Sequence, residues 1–152
     1  MKKPSSQLVH LLIAKSILET IVVATIVVVV HVQAFPPAFH GWGEAVKETR
    51  SIAGWAVNSS NPYQRVEVQL FIDGKFVGTQ AAYLSRPDVQ AAGWSRDEWH
   101  GYNFHVASAA VGKHEARVYV VHASGGGNRY TLQLLGDPIQ FEVREDGNWQ
   151  HR

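Results

Sequence analysis

The chain contains no cysteine, which excludes a disulfide framework, thiolate nucleophiles and cysteine-held metals. It also lacks an excess of charge: 14 basic residues stand against 13 acidic ones. Three lysines and one glutamate fall in the first 40 residues, leaving 11 basic and 12 acidic side chains in the remainder. A body so balanced has no electrostatic footprint for nucleic acid. Missing cysteine does not argue against an oxidising compartment, because a domain of about 105 residues can bury enough surface without covalent staples.

Motifs of chemistry are missing too. Serines lie in NSSN, LSRPD, GWSRDE and HASGGG among other places, and none in the chain sits in a G-x-S-x-G elbow. SGGGN lacks the Lys-Ser/Thr of a phosphate-cradling loop and leads into strand-like sequence, so it reads as a turn. There are eight histidines. His100, His105, His114 and His122 do not show the short spacings that put two imidazoles on one metal. His105 is out of phase with Phe104 and is expected to face solvent. Asp97 and Glu98 are adjacent, and on extended backbone such neighbours point to opposite sides, away from a common substrate. No metal and no cofactor is therefore expected, and no catalytic residue is assigned.

What the chain does have begins at its N-terminus, MKKPSSQLVHLLIAKSILETIVVATIVVVVHVQAF. Two lysines lead into an apolar run whose only charges between Leu8 and Val32 are Lys15 and Glu19, four apart and able to meet on a helix. Ile21–Val30 is rich in β-branched residues, yet in lipid the backbone must bond to itself and a helix is imposed. Three readings compete. Residues 11–32 are long enough for a membrane anchor. Val32-Gln33-Ala34 also suits a signal-peptide cleavage site, with the mature chain starting at Phe35. The third is a buried core element. The first two agree that the lysines stay cytoplasmic and the rest is exported. The anchor is the expectation adopted, so the membrane is one expected partner and the location is single-pass with the C-terminal domain outside.

Pro36 and Pro37 end the helix and stiffen the exit into an extended spacer. The expected divisions are 1–34 for the anchor or signal, 35–43 for a proline-containing linker, 44–146 for a domain and 147–152 for a tail. Within that domain the hydrophobic period becomes two. RSIAGWAV reads as a strand covered on both faces. Val66, Val68 and Leu70 alternate with Glu67 and Gln69, and Asp73-Gly74 makes a hairpin turn before Phe76 and Val77. Tyr102, Phe104 and Val106 alternate again, as do Ala116, Val118 and Val120, and RYTLQLL and IQFEVRE supply two more strands. About seven short strands and no helix predict an all-β, two-sheet antiparallel sandwich of immunoglobulin-like outline.

Several of these residues form a pattern: Gly54-Trp55-Ala56, then Val66 to Gly74, then Arg86-Pro87-Asp88-Val89, then His100-Gly101-Tyr102-Asn103-Phe104. In order and spacing it resembles a bacterial immunoglobulin-like accessory module of the kind appended to glycosyltransferases and envelope proteins. Tyr102 stands where that pattern has phenylalanine. The resemblance implies a non-catalytic domain and carries over no catalytic residue.

Arg86 and Asp88 flank a proline and are expected to hydrogen-bond nearby chain and hold the crossing. Gly101 is expected to permit a tight approach into the next strand. Trp94 and Trp99 sit in the variable part between these motifs. They either cap the end of the core, the reading adopted, or stack on a sugar or a protein. Trp94, Trp99, His100 and Tyr102 are the candidate binding residues. Gly54, Trp55, Asp73, Gly74, Arg86, Pro87, Asp88, Gly101 and Phe104 are structural. The function expected is binding at the cell envelope, to carbohydrate, an envelope polymer or a protein. An enzyme with an unrecognised site and a purely structural spacer are the alternatives.

Overall fold

A computed structural model describes residues 6–34, 38–106, 108–124 and 127–151. The chain divides into two units, 1–36 and 37–152.

The first unit is one helix, α1 (Ser6–Ala34). Residues Gln7–Val30 have a mean hydropathy of 2.3, and apolar side chains occupy the whole circumference rather than one stripe. The helix is long and apolar enough to span a membrane, or to be a signal sequence. Four of its polar side chains are satisfied in pairs or by the helix itself. Lys15 Nζ lies 3.6 Å from Glu19 Oε1. The hydroxyls of Thr20 and Thr25 each donate to the carbonyl four residues earlier, at 2.8 Å, so neither hydroxyl needs water.

The second unit is built from two antiparallel sheets. The first comprises β1 (Phe39–Val46), β2 (Ser51–Asn58), β5 (Leu84–Ser85) and β6 (Trp99–His105), in the order β1-β2-β6-β5. The second comprises β3 (Glu67–Ile72), β4 (Lys75–Ala81), β7 (Gly112–Ser124), β8 (Arg129–Leu134), β9 (Ile139–Val143) and β10 (Trp149–His151). Its order is β10-β9-β7-β3-β4, and β8 also pairs with β7. A short helix, α2 (Pro87–Ala91), precedes β6.

The inner faces follow the alternation expected. Val66, Val68 and Leu70 are buried, as are Tyr102, Phe104 and Val106, and Ala116, Val118 and Val120. Together with Ile52, Ala56, Ile139, Phe141 and Val143 they form one core drawn from both sheets. Asp73 and Gly74 close the β3–β4 hairpin with φ of 50° and 75°, the left-handed conformation that Asp and Gly tolerate best.

Three strands lie outside the expected set, and two of them correct the expected divisions. The strand β1 starts at Phe39, so the linker does not extend to residue 43. Its inward positions include Gly41 and Gly43, which make an alternating strand resemble loop sequence. Glycine is needed there because a Cβ on Gly41 would lie 2.5 Å from Leu135 Cδ1, and one on Gly43 would lie 2.4 Å from the Tyr102 hydroxyl. The expected tail at 147–152 contains β10, whose Trp149 is buried and stacks on Phe141 at 4.4 Å between centroids. The third addition, β5, has only two residues and is below what periodicity can register. The helix α2 is a further addition, although Pro87 at its first position is where proline favours a helix start.

Candidate functional site

Outward positions of the first sheet concentrate tryptophan. Gly43 and Gly54 face the core, so strand alternation turns Trp42 and Trp55 to the opposite side. These two are direct cross-strand partners. Trp55 is also opposite Gly101, and Gly101 opposite Leu84, so Trp42, Trp55, Gly101 and Leu84 form a row across all four strands. Trp99 is two residues from Gly101 on β6 and shares its face.

Trp94 reaches this face from a loop. Val89 is buried and anchors α2, Gly93 turns the chain with φ of 81°, and the Trp94 N–H donates to the Val89 carbonyl at 3.2 Å. The indole then lies 5.8 Å from Trp55 and 5.1 Å from His40, centroid to centroid. Trp42, Trp94 and Trp99 are 47%, 49% and 46% exposed. Neither Trp94 nor Trp99 is among the buried residues of the shared core.

Polar groups border the row. Glu44 and Asn103 are exposed on either side of Ala53, one position along the same face. At the β5 edge the Arg86 guanidinium binds Asp88 with two bonds, Nε to Oδ1 at 2.8 Å and Nη2 to Oδ2 at 2.7 Å. This pairing, principally the hydrogen bond from Arg86, holds the Asp88 carboxyl down to about 2. Arg86 and Asp88 thus bind each other rather than separate parts of the crossing. The Arg86 stem lies over Gly101, where a Cβ would come within 2.9 Å of Arg86 Cγ and of the Leu84 carbonyl oxygen. Gly101 therefore makes room for side chain and edge strand together.

His100 and Tyr102 occupy the other side of β6. Both are buried, at 0% and 2% exposed, and neither can touch a ligand on the tryptophan face. The Tyr102 hydroxyl donates to the Trp42 carbonyl at 3.2 Å. His100 Nε2 lies 3.0 Å from Asp97 Oδ1, and burial pulls its pKa below the ordinary value. Nε2 also lies 3.4 Å from Arg65 Nη1, while Nδ1 has no hydrogen bond. Asp97 also takes two bonds from Arg65, at 3.1 and 2.8 Å. Its neighbour Glu98 accepts from Ser85 Oγ at 2.8 Å, so the adjacent carboxyls serve different partners. These are positioning groups for the loop that carries Trp94 and leads into β6 at Trp99.

Trp42 and His40 lie outside the candidate residues chosen by motif, and Trp55 falls there among the structural ones. The alternation of Tyr102 with Phe104 implies that His100 and Tyr102 share an inward face. The same parity turns Trp99 outward. Among the described residues, no three His, Cys, Asp or Glu side chains come together as a metal set.

Flat aromatic rings with hydrogen-bonding groups at their border can stack on the apolar face of a sugar while its hydroxyls bond to the border. No family model and no curated protein matches the chain. A search of solved structures finds similarity to the family 28 exopolygalacturonase of Yersinia enterocolitica, with 15% identity over 72% of this chain and a TM-score of 0.36; the chain spans 20% of that enzyme's length.

Proposed function

We propose that the protein is an exported, membrane-tethered and non-catalytic binding module of immunoglobulin-like β-sandwich form. Its ligand is a carbohydrate or envelope polymer, held on the outer face of the first sheet. The observation that carries this reading is the tryptophan row: Trp42, Trp94 and Trp99 are each about half exposed on one face. Large exposed aromatics grouped in this way favour recognition over a role in folding. The Glu44–Asn103 border supplies groups for sugar hydroxyls. α1 supports tethering through its length and hydropathy.

A sedimentation assay tests the ligand. The domain is mixed with insoluble glycans, namely cellulose, chitin and isolated cell-wall sacculi, and compared with a Trp42→Ala/Trp94→Ala variant. We expect retention on at least one glycan and a fall of tenfold or more in the variant, corresponding to about 1.4 kcal/mol or more. Thermal unfolding should show that the variant remains folded. Retention on none of the glycans sinks the carbohydrate reading and leaves a protein partner for the same face.

Fractionation with N-terminal sequencing tests the tether. An intact chain released from membranes only by detergent supports it. A soluble exported chain beginning at Phe35 would replace the tethered module with a diffusible one.

A further inference from the structure

His114 bridges the β3–β4 turn and the connection leading into β7. Its Nδ1 lies 2.6 Å from Asp73 Oδ2, and its Nε2 lies 2.7 Å from the Ala110 carbonyl oxygen. A carbonyl oxygen accepts only. The facing Asp73 oxygen belongs to a carboxylate that also accepts the Glu115 N–H at 3.0 Å, while Asp73 N–H donates to the Glu115 carbonyl at 2.9 Å. A neutral imidazole has one N–H and one lone pair, so it can satisfy one of these acceptors and must point a lone pair at the other. Only the doubly protonated ring satisfies both.

We propose that His114 is an imidazolium clasp, and that loss of its proton releases residues 108–111 from the hairpin turn. The clasp borders a cleft of about 480 Å³ lined by Ile72, Val77, Val106, Ala109 and His105 among others. Releasing 108–111 would open this cleft. β6 contributes His105 to it, and none of the tryptophans lines it.

The other charged groups around the ring are few. Lys75 lies beyond Asp73 on the hairpin and helps keep that carboxyl ionised. His105 of β6 lines the same cleft. On β7 the flanking residues are Lys113, opposite Glu142 of β9, and Glu115, opposite Gln140. Phe141 packs against the ring at 5.3 Å and carries no charge. Burial opposes protonation of His114, but the bonds to Asp73 and Ala110 outweigh it, so its pKa is raised above the ordinary 6.5. A raised folded pKa stabilises the fold fully below the unfolded value, and the contribution disappears as pH rises through the folded one.

The test is an NMR titration of the His114 ring nitrogens, together with hydrogen exchange of the amides from 108 to 115, in wild type and Asp73→Asn. Asparagine keeps the left-handed backbone at this position (φ 50°), and its Oδ1 can still accept the Glu115 N–H. Its amide nitrogen is a donor, so it favours a neutral His114 that accepts at Nδ1 and donates from Nε2 to Ala110. In wild type both ring nitrogens should be protonated at pH 6 and titrate above 6.5. Protection factors, corrected for base catalysis, should fall by up to about tenfold per pH unit between 6.5 and that midpoint and level off above it. In Asp73→Asn the midpoint should drop below 6.5 and protection should persist to higher pH. A singly protonated ring at pH 6 in the wild type, or pH-independent protection, would overturn the proposal. So would an Asp73→Asn domain that titrates like wild type.

Discussion

Gly54→Ala is expected to unfold or severely weaken the domain, although it adds one methyl group at a position where the backbone is ordinary strand. A Cβ there would lie 2.0 Å from the Trp42 carbonyl oxygen, 2.5 Å from the Tyr102 hydroxyl and 2.7 Å from Tyr102 Cζ. The first contact is with backbone, so no rotamer change relieves it. β1 must move off β2, which would take with it the Trp42–Trp55 pairing and the acceptor of the Tyr102 hydroxyl. Overpacking of a core costs about 1–3 kcal/mol and more where backbone must shift. We place Gly54→Ala at about 3 kcal/mol or above, a fall in Tm of about 12 °C by the usual conversion for a domain of this size. Thermal unfolding followed by circular dichroism measures it. Adding Tyr102→Phe removes the contact with the hydroxyl but not the one with the Trp42 carbonyl, so it should not rescue stability. Rescue by that second change, or a Tm within a few degrees of wild type, would contradict the registered β1–β2 pair.

Asp97→Ala should be the next most damaging change, for a different physical reason. The carboxylate gathers Arg65, the Trp99 N–H and His100 Nε2. The Arg65 pair is partly exposed, so its direct contribution is below about 1 kcal/mol. His100 is fully buried and its Nε2 meets Arg65 Nη1 at 3.4 Å, so removing the carboxylate that fixes Arg65 can strand a buried ring nitrogen, at a cost of about 1–3 kcal/mol. Asp97→Asn keeps an oxygen for Arg65 and the Trp99 N–H and should lose less, which separates the hydrogen bonds from the charge. Two lowered pKa values set the pH dependence. Arg65 chiefly holds the Asp97 pKa below its ordinary 3.8. The resulting stability is present above that value and is lost as acid titrates the folded carboxyl. Burial lowers the His100 pKa below 6.5, so the unfolded chain takes up a proton that the folded one refuses below that pH. Denaturant titrations should therefore show stability declining from about pH 6.5 downward. Asp97→Ala should retain the histidine part of that decline and lose the carboxylate part. A wild-type stability that is flat from pH 7 to 4 would refute the histidine assignment, and one that does not fall further below pH 3.8 would refute the carboxylate one.

The parts of the fold that can be read from the sequence are those where apolar residues mark one face continuously. Val66, Val68, Leu70 and the Asp73-Gly74 turn specify β3 and β4 by themselves. β1 escapes because its inward face is made partly of glycine, chosen for the close approach of Leu135 and Tyr102. Its pattern is visible only once those neighbours are in place. The tryptophan face escapes for a similar reason. Its members come from β1, β2, β6 and the loop after α2, and nothing local links Trp42 to Trp94. Pairing register brings them together. His100 and Tyr102 attract attention by residue type, whereas the two-residue period of β6 places them inside. The His114 clasp joins residues 41 positions apart, beyond the reach of any spacing argument.

Strand order also fixes a timetable for the chain as it is made. β2 is sandwiched between β1 and β6, so the first sheet cannot close until about fifty residues after β2 have been synthesised. The second sheet receives the stacking ring of Trp149 still later. Up to that moment Phe141 lacks its lid and the edge of β9 is open, the kind of surface that invites proteolysis and aggregation. On the export proposed above, the domain would emerge extended and assemble only after its last strand had cleared the membrane. A nascent chain held back before Trp149 should therefore be degraded rapidly, while one held beyond His151 should already resist protease.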